Sequence, residues 1–96
     1  MEPTETDRWI VMIQGELDAS SRRHMADLAA ILTGPGRDVE LDLSGVTFVD
    51  SSGWAAVEAA VEALEAGGVA ARVGRMSEPV RRVRAVLGAA QLTPAA

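Results

Sequence analysis

The sequence predicts an α/β fold: one small domain whose strands alternate with helices, the helices packed mainly on one face of a sheet. Three observations carry this expectation. Short runs rich in Val, Ile and Leu recur at residues 9–13, 39–43, 46–49 and 69–73. Between them lie stretches with apolar residues three, four and seven apart, the spacing of an amphipathic helix. Glycine, proline and serine punctuate the boundaries. The order β-α-β-α-β-α implies parallel crossovers.

Residues 1–8 are polar and expected to be loose, with the domain spanning 9–92 and a tail at 93–96. Trp9 to Ile13 is a continuous apolar run, short enough for a strand covered on both sides. Gly15 permits a bulge or a close backbone approach. Ser20 and Ser21 offer N-caps, and Met25, Leu28, Ala29 and Leu32 form the buried stripe of the next helix. Gly34, Pro35 and Gly36 stop it. Val39 to Leu43 alternates cleanly, one face toward a core and the other polar. Ser44-Gly45 breaks that run before a short continuation, Val46 to Val49. From Gly53 to Ala66 the pattern is helical, with Trp54, Val57, Val61 and Leu64 as its stripe, and Gly67-Gly68 ends it. Val69 to Val73 reads as a strand. Ser77-Glu78-Pro79 starts a last helix, with Val80, Val83 and Leu87 on its buried side and Gly88 as its end.

Composition narrows the function. The 96 residues carry a net charge of −5, which disfavours nucleic acid, whose phosphates need a basic footprint. With no cysteine, disulfides, thiolate zinc sites and cysteine nucleophiles are excluded. No apolar stretch approaches a membrane span, and the acidic start lacks the order of a signal peptide, so a cytoplasmic protein is expected.

The chemistry concentrates at Asp50-Ser51-Ser52-Gly53. A strand running straight into a helix places these residues at the carboxyl edge of the sheet, where ligands and partners of open α/β sheets bind. Ser52, directly before Gly53, is expected to cap the helix, leaving the Ser51 hydroxyl exposed beside unpaired amides and the positive end of the dipole. A phosphate there would be tolerated. The plain alternative is a cap and turn without further role. A serine hydrolase is disfavoured: the only histidine, His24, is expected to face solvent, and no G-x-S-x-G elbow is present.

The whole order adds to this. GELD at 15–18, LDLSGVTFVDSSG at 41–53, a helix closed by Gly67-Gly68, a short strand and an arginine-bearing helix from Pro79 resemble the STAS domain, anti-sigma-factor-antagonist type. The resemblance covers most of residues 9–88. It implies a mixed sheet with helices on one side, and an additional strand ahead of 9–13 where this sequence has only polar residues. It also implies a non-enzymatic, cofactor-free binding module for an anti-sigma factor that doubles as a serine kinase, reset by a phosphatase. ATP and Mg²⁺ would belong to the kinase. Ser51 would be the phosphorylated serine, Asp50, Ser52 and Gly53 the switch loop, and Asp18 a neighbour on the same rim. Glu16 and Trp54 join them as candidate partner contacts, Trp54 being otherwise a bulky core residue. A monomer or weak homodimer is expected. The competing function is a non-switching STAS subunit held against an ATPase, transporter or signalling complex. Arg72, Arg75, Arg81, Arg82 and Arg84 gather the late positive charge, as a solvated face or as a dock for an acidic partner.

Overall fold

The computed structural model describes residues 8–34 and 38–92, with side chains to residue 87. Strand β1 (Arg8–Leu17) leads through a 3-10 turn, Ala19–Ser21, into α1 (Arg22–Leu32). Then come β2 (Asp38–Val49), α2 (Ser51–Ala66), β3 (Ala70–Met76) and α3 (Glu78–Leu92). The sheet order is β1-β2-β3 and both pairings are parallel. The α/β class with one helix-covered face is as expected. The mixed pairing is not found among the described strands, because each reaches the next through a helix. Residues 1–7, where an additional first strand would fall, lie outside the described residues.

The alternation in β2 sets the two faces. Val39, Leu41 and Leu43 point to one side and are buried with Val57, Ala60 and Leu64 of α2 and Val80 of α3. Removing such side chains from water contributes about 1.5–3 kcal/mol each. Met25, Ala29 and Leu32 close the core from α1. The other side of β2 was expected to be simply polar, yet Glu40 and Asp42 are buried too. β2 is the central strand, and its neighbours supply the donors these carboxylates need. Arg8 of β1 and Arg72 of β3 both donate to Oε1 of Glu40, the latter at 2.9 Å. Gly74 leaves the room: a Cβ there would sit 2.1 Å from Glu40 Oε2. Asp42 accepts from the Ser44 amide at 2.9 Å and its hydroxyl at 2.6 Å. The donated bonds, Arg8 first for Glu40 and the Ser44 hydroxyl first for Asp42, hold both carboxyls below their ordinary pKa.

Several boundaries differ from expectation, β3 running on to Met76 among them. β1 runs on to Leu17, with register shifts at Met12/Gln14 and Gly15/Glu16 and Gly15 at φ 95°. Those bulges absorb the extra residues, so Ser44-Gly45 does not interrupt β2 and pairing continues to Leu17 opposite Val49. Gly88 does not end α3, which continues to Leu92. One glycine costs a helix about 1 kcal/mol, too little to stop one already packed through Val80, Val83 and Leu87. Gly68, at φ 90°, takes the left-handed position after α2.

Candidate functional site

β1 and β2 end side by side, since Glu16 pairs with Phe48 and Leu17 with Val49. The next residue of each, Asp18 and Asp50, therefore leaves the sheet on the same rim. The Asp50 amide donates to the Leu17 carbonyl at 3.2 Å, tying the two exits together.

Each aspartate then caps a helical turn. Asp50 is extended (φ −114°, ψ −174°), and its Oδ1 accepts the Gly53 amide at 2.8 Å, while its carbonyl accepts the Trp54 amide at 2.9 Å. Asp50, not Ser52, is thus the N-cap of α2. Both residue types cap well, but a cap must have non-helical backbone, and Ser51 and Ser52 already lie in the first helical turn. Ser51 and Ser52 are both exposed, and no hydrogen bond among the described residues uses either hydroxyl.

Asp18 does the same for the 3-10 turn. Its Oδ1 accepts from the Ser20 hydroxyl and, at 2.9 Å, from the Ser20 amide, and these bonds lower its pKa, the hydroxyl contributing most. Ser21 reciprocates by accepting the Asp18 amide at 3.1 Å. This capping box runs D-x-x-S in place of the common S/T-x-x-E, which is why the serines drew attention and Asp18 did not as a cap.

Gly53 is fixed by contact. A Cβ on it would lie 2.2 Å from the Leu17 carbonyl oxygen and 2.4 Å from its carbon. Glycine lets the first turn of α2 press onto the end of β1, which sets where Ser51 stands relative to Asp18. Glu16 is exposed beside this junction. Trp54, in contrast, is only 6% exposed and belongs to the core. Its ring fills the core, and its remaining edge lines a hollow with Glu58 and Glu62 of α2 and Arg72 of β3.

Sequence reasoning passed over Phe48. β3's ladder with β2 stops at Leu43 opposite Met76, so among the described residues no third strand lies beside 46–49, and α3 packs on that side. Phe48 is left 48% exposed, two residues before Asp50. The signal was available: an aromatic ring just ahead of the polar D-S-S-G turn.

The rim can present a hydroxyl and accept negative charge at a helix start. His24 is exposed on α1, and no group of three or more His, Cys, Asp or Glu among the described residues could hold a metal. No helix among them is long and apolar enough to cross a membrane.

Residues 2–94 match the family described as Mlab, STAS domain. The fold is similar to that of SpoIIAA, an anti-sigma-factor antagonist, in its unphosphorylated form. The TM-score is 0.64 at 26% identity, covering 85% of this chain and 74% of that one. No curated protein matches the sequence.

Proposed function

The chain belongs to the STAS domain family, and on that premise we propose that it is an anti-sigma-factor antagonist worked as a phosphorylation-controlled binding switch. Unphosphorylated, it binds an anti-sigma factor that is also a serine kinase, and sigma is released. The kinase then phosphorylates Ser51 and the complex parts.

The observation that carries this reading is the free Ser51 hydroxyl. Asp50 satisfies the helix start, so Ser51 is exposed and unbonded at the first position of α2. Its Oγ attacks the γ-phosphorus of ATP held by the kinase. The Oγ–P bond forms, the bond to ADP breaks, and the hydroxyl proton leaves to a base on the kinase. The product carries about −1.5 to −2 charges. Helix amides and dipole stabilise that charge within the chain. Beside Asp18, Asp50 and Glu16 it repels a surface that fitted a neutral hydroxyl. A phosphatase restores the serine by hydrolysis, releasing inorganic phosphate.

Ser52 shares the exposure of Ser51. The choice between them rests on the motif, in which the first serine of D-S-[ST]-G is the acceptor. The test is a pull-down of partners with and without ATP, with Phos-tag gels and mass spectrometry on Ser51→Ala and Ser52→Ala. One phosphate on Ser51, and retention of the partner by Ser51→Ala in ATP, is the expected result. Phosphate on Ser52 alone, or release of Ser51→Ala by ATP, refutes it.

The family description supports a second reading, because it names Mlab and not an antagonist. On this reading the chain is a constant subunit of an ATPase, transporter or signalling complex. Stoichiometric co-purification that ATP does not dissolve would support it.

A further inference from the structure

We infer that the outer edge of β1 is a homodimer interface: a second copy of this chain adds its own β1 there, antiparallel, about a two-fold axis at Val11. The inference goes beyond the switch reading and does not depend on it.

A mismatch between the strand and its surroundings points to this edge. Trp9 to Ile13 is the continuous apolar run of a strand covered on both sides. Yet β1 stands at the end of the sheet, and no described strand pairs on its far side. The helix that follows, α1, packs chiefly on α2 and not back on its own strand. Val11 and Ile13 still reach the core and are half-buried. Ile10 and Met12, on the opposite face beside Glu40 and Asp42, are left 57% and 61% exposed.

An edge strand ordinarily carries something that stops another strand from adding, such as a charge, a proline or a bulge. Residues 9–14 have no charge and no proline. At both register shifts the extra residue belongs to β2. That strand takes three steps from Asp42 to Gly45 against two from Met12 to Gln14. It takes two from Val46 to Phe48 against one from Gly15 to Glu16. β1 therefore keeps a regular, unguarded edge from Arg8 to Gln14, until Gly15 turns it at φ 95°. The opposite edge is guarded: β3 has seven residues, with Arg72 and Arg75 exposed and no acid.

The occupant follows from what β1 itself presents. Its only charges are Arg8 at the start and Glu16 near the end, both exposed. A parallel copy would set like charges side by side, whereas an antiparallel copy brings opposite charges together. With the axis at Val11, Ile10 lies opposite Met12 of the second copy and Trp9 opposite Ile13, so every apolar residue of the run meets another. Arg8 lies opposite Gln14, with Glu16 on the diagonal, within reach of a long side chain. Arg8 keeps its bond to Glu40 and has further donors for this contact. Moving the axis to Ile10 sets Arg8 against Met12, and moving it to Met12 sets Ile10 against Gln14. Val11 is thus the register that the side chains favour.

The pairing is isologous, the same strand on both copies, and closes at two. A seam this short hides less than the roughly 800 Å² per partner of a standard interface, so the dimer is weak and forms with rising concentration. Ser51 stands outside the seam, beyond Leu17 at the far end of β1.

The test is sedimentation velocity of the full chain from about 1 µM to about 1 mM, with ¹⁵N–¹H spectra at both ends of the range. A reversible monomer–dimer equilibrium is expected, its concentration-dependent amide shifts gathered at residues 8–14. The double variants Ile10→Lys/Met12→Lys and Ile10→Glu/Met12→Glu each set like charges face to face, and each should raise the dissociation constant about tenfold or more. Mixed in equal amounts they should pair with one another, because lysine then faces glutamate across the seam. That recovery separates lost pairing from lost folding, which circular dichroism also checks. The inference is overturned by a chain that stays monomeric throughout, by double variants that dimerise as the parent does, or by a mixture that does not pair. It is overturned equally by shifts gathered elsewhere, or by backbone contacts that place residues 1–7 of the same chain along β1. Ser51→Glu should dimerise as the parent does; dissociation of that variant would move the seam to the rim and refute the Val11 axis.

Discussion

Replacing Gly53 by alanine sets two effects of known sign against each other. Gly53 is the third residue of α2, and a helix favours alanine over glycine by about 1 kcal/mol. Against this, the new Cβ would meet the Leu17 carbonyl oxygen at 2.2 Å and its carbon at 2.4 Å. Both are backbone atoms, held by the β1–β2 ladder and by the Asp50 amide. Restoring ordinary contact requires the start of α2 to retreat by about 1 Å or more. Overpacking of this kind costs about 1–3 kcal/mol, more where backbone must shift. The clash therefore wins, with a net loss of about 2 kcal/mol and a fall in Tm of about 8–16 °C for a domain of this size. Gly45→Ala is the control. Its Cβ would sit 2.9 Å from Gln14 Cγ, but that is an exposed, flexible side chain able to swing away, so stability should change by about 0.5 kcal/mol at most. Thermal and urea unfolding by circular dichroism compares the two. A Gly53→Ala protein as stable as its parent, or more so, refutes the close approach that places Ser51.

Three further outcomes are expected. Asp50→Ala should cost about 1 kcal/mol in urea unfolding, and Asp50→Asn should recover most of it, because either side chain can accept the Gly53 amide. Glu40 has a folded pKa below its unfolded one, so the stability it contributes is full above the ordinary carboxylate range and is lost as pH falls through the folded value. Glu40→Gln should flatten that acid limb of the stability–pH curve, and an unchanged limb would show that Arg8 and Arg72 do not hold the carboxylate. Trp54→Ala should cost about 3–5 kcal/mol, a large share of a typical total of 5–15, whereas Trp54→Phe should keep both fold and partner binding. Loss of binding in a folded Trp54→Phe protein would restore the ring as a contact.

The elements were legible where one periodicity dominated. Val39, Leu41 and Leu43 announced their strand, and Trp54, Val57, Val61 and Leu64 their helix, because a buried face imposes its own spacing. The features that escaped were decided by residues distant in sequence. Ser52 and Asp50 are equally good caps by type; the Leu17 carbonyl, by accepting the Asp50 amide and crowding Gly53, chose between them. Likewise nothing local says that Glu40 is buried. Its burial comes from β2 being central and from Arg8 and Arg72 arriving from both neighbours. Ser44-Gly45 looked like a break because it is itself the bulge: β2 takes three steps from Asp42 to Gly45 against two from Met12 to Gln14, and pairing resumes beyond it.

The helix between every pair of strands has a consequence for how this chain is made. No hairpin exists among the described strands to start the sheet: Trp9 waits for Val39, and Val39 for Ala71. As the polypeptide leaves the ribosome, the greasy stretch that becomes β1 has no mate until β2 emerges, and α3 finds its seat last. A truncation before α3 would therefore leave Val39 to Leu43 half covered, and such fragments should clump more readily than the full chain.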